Sequence, residues 1–401
     1  MEHEDADWLR RALDRRLEAV ETRFHRDLYG RIDWNDRLIG IRGPRGAGKT
    51  TMLLQRVKEA FPDRDKVLFA SVENIWFANH PLEDVVEWHW THGGTHVFLD
   101  EIHRLPDWQA RVKALYDDFP GLSFVYTGSS MLHIDHARGD LSRRQRLWEL
   151  PVLSFREFLE MEGFSDIAPV PLETLLADHR ALAEKVCAGR RILPLFERYL
   201  RSGCYPFYRE AGSGYHDRLL ETADLALEND WPAVDGVSFS TVRKVRTMLA
   251  VIAGRVPQTP NLAELWRELE TDRNQGMKML DALRRAGLLR LLSARTKDLK
   301  HLSRPDKIYL GDTNLMFALV PEPDVGTARE TFLLAQLSRS HEVTYPPRGD
   351  FLVDGKRLFE VGGRGKDFPQ IADVPDSFLA VDGIETGSRN RIPLWAFGLV
   401  E

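Results

Sequence analysis

Gly43, Pro44, Arg45, Gly46, Ala47, Gly48, Lys49, Thr50 and Thr51 form a G-x-x-x-x-G-K-T-T run that few folds can accommodate. Leu38-Ile39-Gly40-Ile41 before it has the character of a buried strand, and Thr50 to Val57 after it has the spacing of an amphipathic helix. A loop in that position, freed by Gly43, Gly46 and Gly48, turns its backbone N–H groups toward an anion at the helix N-terminus. The pattern assigns Gly43 through Thr51 to phosphate binding, with Lys49 reaching the β- and γ-phosphates and the Thr50 hydroxyl holding Mg2+.

A second signal, His96-Val97-Phe98-Leu99-Asp100-Glu101, is an apolar run ending in paired carboxylates. A strand parallel to and beside that of the loop would bring Asp100 to the Mg2+ shell and set Glu101 to polarise an attacking water. Leu122 to Ser130 predicts another buried strand ending in hydroxyls, with Thr127, then Ser129, placed to sense the γ-phosphate or hold that water. Arg143 and Arg144 precede a fifth strand, Leu147 to Leu150. An arginine there can complete a neighbouring subunit's site by neutralising transition-state charge.

Together with Leu153-Ser154-Phe155-Arg156-Glu157-Phe158, these motifs resemble the ATPase module of predicted bacterial and archaeal AAA+ proteins. Those proteins carry a winged helix and a C-terminal domain related to the PD-(D/E)XK nuclease fold. The resemblance implies an α/β fold, a P-loop NTPase with an AAA+ type parallel sheet, a helical lid, a winged helix and a small C-terminal α/β nuclease-like domain. It also implies ATP and Mg2+ as cofactors, and assembly into a homo-oligomer through arginine fingers, with a hexameric ring as one form. The divisions expected are an N-terminal helix (1–30), the ATPase core (31–165), the lid (166–235), the winged helix (236–318) and the nuclease-like tail (319–401).

At 401 residues the chain is too long for one core, and its composition, 43% hydrophobic and 29% charged, is that of a soluble globular protein. A net charge of −6 means that nucleic-acid contact has to come from a local patch. Cys187 and Cys204 form no CxxC or zinc pattern, the N-terminus lacks a signal-peptide layout and no apolar run reaches membrane-spanning length. These features fit a cytoplasmic protein without membrane contact. Leu9, Leu13, Leu17, Val20, Phe24 and Leu28 predict one amphipathic helix over 8–29. The Trp- and His-rich stretch from Asn74 to Thr95 predicts aromatic packing, zinc being the other use of its His80, His89 and His92.

Further on, 170–235 reads as helices, where a second sensing arginine would be Arg190, Arg191, Arg198 or Arg201. Three helices and two short strands over 240–310 follow the winged-helix order. Lys and Arg outnumber Asp over 271–307, which predicts DNA contact through Arg273, Asn274 and Lys278 at the start of a groove-entering helix, with packing on a partner protein as the alternative. In the tail, Glu330, Asp350 and Glu360 are spaced as the nuclease fold spaces its Mg2+-binding carboxylates. Gly362 stands where that fold needs a lysine, so the tail is read as a vestigial, non-cleaving site; Lys366 is the nearest substitute, in a stretch that reads as a flexible turn.

Overall fold

Five short apolar runs pair side by side: β1 (Leu38–Arg42), β2 (Val67–Ser71), β3 (His96–Asp100), β4 (Ser123–Gly128) and β5 (Arg146–Glu149). They are seen in a computed structural model that describes residues 3–128, 141, 143–231, 237–257, 261–294, 305–367, 371 and 373–401. The strands are all parallel, in the order β2-β3-β4-β1-β5. This corrects one expectation: β3 does not lie beside β1, because β4 intervenes, with Phe124 opposite both Leu38 and Val97. The reason lies in β4 itself, whose Phe124, Val125 and Tyr126 are apolar toward both faces and suit a central strand of a covered parallel sheet.

Side chains alternate between the two faces of the sheet. Leu38, Leu99, Phe124 and Tyr126 share one core with Val85, Val86, Val112 and Leu115 of helices Leu82–Thr91 and Trp108–Asp118. Ile39, Ile41, Phe98 and Val125 share the other with Met52, Leu53 and Val57 of helix Lys49–Ala60 and with Leu13 and Leu17 of helix His3–Ala19. Full burial of a Phe such as Phe98 contributes about 2–3 kcal/mol. The expected helix over 8–29 ends at Ala19 and resumes only as the short Asp27–Arg31. Between them, side chains take the backbone carbonyls: Gln55 donates to Glu21 and Phe24, and Lys58 to Val20. Those bonds replace the helical ones.

The chain divides into two compact units, Met1–Val152 and Leu153–Glu401. In the second, Phe155–Met161 starts with a capping box between Ser154 and Glu157. Its Phe155 packs on Phe196 and its Phe158 on Tyr199, and Tyr199 in turn meets Phe332. Asn314 ties this region together, donating to the Tyr199 and Leu200 carbonyls and accepting from the Cys204 N–H and the Tyr215 hydroxyl. Helices Phe239–Ala253, Leu262–Glu268 and Arg273–Arg285 are followed by an antiparallel hairpin of β6 (Leu289–Leu292) and β7 (Lys307–Leu310). Helix Val325–Leu337 then packs on strand Arg357–Gly362 of a mixed sheet. That sheet comprises β8 (Val343–Thr344), β9 (Phe351–Val353), β10 (Arg357–Gly362), β11 (Ser377–Val381) and β12 (Arg391–Pro393), lined up in the order β12-β11-β10-β9-β8. Helix Leu172–Cys187, from the segment expected to form a lid, packs on β12 and the closing turn Leu394–Leu399. No helix of the described residues is long and apolar enough to cross a membrane.

Candidate active site

The loop between β1 and helix Lys49–Ala60 closes in positive-φ backbone, with Gly46 at 79° and Gly48, the N-cap, at 96°. Only glycine takes these angles without strain. Gly43 answers a different constraint: a Cβ there would stand 2.1 Å from the Leu150 carbonyl oxygen at the end of β5. Lys49 is 4% exposed, and its ammonium donates to the carbonyls of Gly43 and Pro44 at 2.8 and 2.9 Å. It therefore lies along the concave side of the loop, where the first N–H groups of the helix have no intrahelical acceptor. Arg45 is half-buried and Thr51 exposed in the first helical turn. Buried Arg26, which sequence reasoning missed, donates to the carbonyls of Ala47, Pro151 and Val152 and braces the loop against the segment leaving β5. No local pattern marks it, because its acceptors are distant in sequence.

Because β4 separates β1 from β3, Thr127 of β4 sits between the loop strand and the acidic one. Its hydroxyl, fully buried, donates to Asp100 Oδ1 at 2.6 Å and accepts from the Glu101 N–H at 3.1 Å. Thr50 Oγ1 lies 3.0 and 2.9 Å from the two oxygens of Asp100. Asp100 is 3% exposed. Burial, then the charge of Glu101, raises its pKa, against hydrogen bonds from Thr127 and Thr50 and the charge of Lys49. A hydroxyl paired with a buried carboxylate, free of nitrogen or sulfur donors, is a hard oxygen set that fits Mg2+. Glu101 follows in left-handed backbone, φ 57° and ψ 39°, and opens a 3₁₀ turn, Ile102–Arg104. A non-glycine residue held there costs of order 1 kcal/mol and is kept by its surroundings. His103, also unsuspected from sequence, puts Nδ1 3.5 Å from Glu101 Oε2.

The structure separates the two arginines of the expected finger. Arg144 makes a bidentate pair with Asp117, at 3.0 and 3.1 Å. Arg143 is exposed and in no ion pair among the described residues. Ser129 lies outside the described residues. Of the arginines in the segment expected to form a lid, Arg190 pairs with Asp166, Arg198 with Glu162 and Arg201 with Glu197. The histidines of the aromatic stretch do not converge: His80 stacks on Trp76, His92 on Trp88, and buried His89 meets the His96 carbonyl.

Arg273, Asn274 and Lys278 are exposed on a helix whose N-cap, Asp272, accepts from the Asn274 and Gln275 N–H groups. Much of the nearby basic excess is internally engaged: Arg284 and Arg285 pair with Asp281, Arg290 donates to the Gly311 carbonyl, and Lys307 lies 3.5 Å from Glu330. Arg295, Lys297, Lys300 and Arg304 lie outside the described residues.

In the tail, Tyr309 donates to Glu330 at 2.6 Å, and Lys307 reaches from Glu330 toward Asp350, 4.0 Å away. Burial, with the charges of Glu330 and Glu360 adding to it, pushes the Asp350 carboxyl up to about 7. Lys366 folds back across Gly362 and pairs with Glu360 at 2.8 Å. The stretch expected to be a flexible turn thus sets an ammonium beside Glu360. Among the described residues, no group of three or more His, Cys, Asp or Glu is placed to hold a metal ion.

Residues 35–159 match the family model of an AAA domain, and residues 193–325 match a domain of unknown function, DUF8612. No curated protein matches the chain. Among solved structures, the replication initiator DnaA bound to AMPPCP and single-stranded DNA is similar over 68% of this chain and 85% of its own, at 13% identity and TM-score 0.28. The S. cerevisiae Hsp104–ADP complex is similar over 68% of this chain and 40% of its own, at 14% identity and TM-score 0.32. For AMPPCP-bound DnaA from Aquifex aeolicus the figures are 64%, 84%, 13% and 0.29. The parallel sheet, its phosphate loop and the AAA-domain match make the fold that of a P-loop NTPase of the AAA+ type.

Proposed function

We propose that this protein hydrolyses ATP at the C-terminal edge of β1, β3 and β4 and couples turnover to DNA. The observation that supports the first part is the hydrogen-bonded chain Thr50–Asp100–Thr127–Glu101 N–H beside the phosphate loop; in this reading Thr50 and Asp100 are the metal-binding pair and Glu101 the base. Loop N–H groups and Lys49 bind the phosphates and offset their charge. Thr50 and Asp100 would hold Mg2+, which supplies Lewis acidity toward the transferring phosphoryl oxygens. Glu101 accepts a proton from the attacking water. Arg143, exposed and in no ion pair among the described residues, is the residue offered to a neighbouring copy in a homo-oligomer. Arg143→Ala is expected to lower kcat about 10³-fold at assembling concentrations, whereas Arg144→Ala changes it little; phosphate release at several protein concentrations checks this.

For the DNA step, support comes from Arg273, Asn274 and Lys278 on one exposed helix end, ahead of a hairpin in the winged-helix order. The expected result is faster turnover with single-stranded, duplex or four-way-junction DNA. In Arg273→Ala with Lys278→Ala, the log–log salt slope of DNA binding should fall by about 2. Turnover that ignores every DNA form removes this step. The second reading, a nucleotide-controlled switch that binds a protein partner, is favoured by the pairing of Arg284 and Arg285 with Asp281, which thins the basic surface. In the tail, Lys307 and Lys366 among the carboxylates support a binding or structural role over cleavage. Mg2+- or Mn2+-dependent cutting of a DNA panel would count against that role.

A further inference from the structure

We infer that His103 positions the Glu101 carboxylate for its work on the attacking water, an inference that rests on the ATP-hydrolysis reading. Glu101 is held at two levels. Its main chain is fixed by Thr127, which accepts its N–H at 3.1 Å, but that bond leaves the carboxylate to swing on its side-chain torsions. The 3₁₀ turn supplies the second restraint. The Arg104 N–H donates to the Glu101 carbonyl and the Leu105 N–H to that of Ile102, both at 3.0 Å, so the chain doubles back and brings residue 103 beside residue 101. Ile102, fully buried, anchors the turn in the core.

The resulting pair is asymmetric. The imidazole is 1% exposed and the Glu101 side chain 12%, with Nδ1 3.5 Å from Oε2. A ring held in the interior thus stands at one oxygen of a carboxylate that is itself partly open to solvent. An Nδ1–H directed at Oε2 selects one rotamer of the base, and a slight closing of the pair makes a charge-assisted hydrogen bond. His103 touches neither water nor nucleotide in this scheme, so it is a positioning residue. Misplacing a reacting group by about 1 Å can cost 10²-fold in rate, which sets the scale of the effect.

The test compares wild type, His103→Leu, His103→Asn and each of these combined with Glu101→Gln, reading kcat and KM for ATP, ATP affinity and the thermal unfolding midpoint. His103→Leu is expected to lower kcat about 10–100-fold with KM little changed, since the lost contact is to the base and not to the nucleotide. His103→Asn keeps an N–H near the place of Nδ1 and restores most of the rate. In the Glu101→Gln background, His103→Leu removes nothing further, because the partner it positions is already inert. Equal losses in Leu and Asn variants, a raised KM, or the same loss with Glu101→Gln would make His103 a packing residue and overturn the inference. So would a His103→Leu protein as fast as wild type. A wild type without Glu101-dependent turnover overturns the hydrolysis reading itself, a result readable before any His103 variant is made.

Discussion

Glu101→Gln is expected to bind ATP as tightly as wild type and to hydrolyse it ~10²–10⁴-fold more slowly, the usual contribution of a positioned general base. Glutamine fills the same volume and keeps the N–H that Thr127 accepts, so the left-handed turn survives the change. What it removes is the oxygen that accepts a proton from water. Lys49, Thr50 and Asp100, on which nucleotide affinity rests in the proposed mechanism, are untouched. Parallel measurement of kcat and of the ATP dissociation constant separates the two effects, and a fall in both together would place Glu101 among the binding groups instead.

Thr127→Val is the second large effect. Valine has nearly the same shape as threonine, but the fully buried hydroxyl serves two partners at once, donating to Asp100 and holding the Glu101 N–H. Its loss leaves the buried Glu101 N–H without this acceptor, at about 1–3 kcal/mol, and takes from Asp100 a donor that Thr50 only partly replaces. A lowered unfolding temperature is expected. Since the Thr127 bond also lowers the pKa of Asp100, its removal shifts that carboxyl further up and weakens its hold on a cation. Turnover should therefore need more Mg2+ as well as falling in rate, whereas Thr127→Ser keeps both bonds and stays close to wild type. A titration of activity against Mg2+ for the three proteins, with calorimetric unfolding, reads both consequences. A Thr127→Val protein with wild-type stability and Mg2+ dependence would leave the hydroxyl without a role.

The site was legible where chemistry is local. The phosphate loop needs glycine at angles that no other residue takes cheaply, and a strand buried on both faces has to be a nearly continuous apolar run, so Gly46, Gly48 and the run before Asp100 announce themselves. What was illegible depends on residues distant in sequence. That β4 and not β3 pairs directly with β1 follows from long-range pairing, although the reading of Thr127 as a polar group between the two nucleotide-facing strands came from sequence. The early end of the first helix depends on Gln55 and Lys58, and the brace on the loop depends on Arg26 reaching Pro151. Arg143 and Arg144 are neighbours of like charge until Asp117 claims one of them. No local pattern marks His103, and only the 3₁₀ turn brings it back to Glu101.

The most direct measurement of the central claim is phosphate release from ATP by the wild-type protein in Mg2+, repeated with the cation chelated. The account predicts steady multiple-turnover release that stops on chelation and returns when Mg2+ is restored. ATP that binds and stays intact in Mg2+ at every protein concentration tested would contradict it, and would leave the Thr50–Asp100–Thr127 chain as the frame of a nucleotide-binding switch.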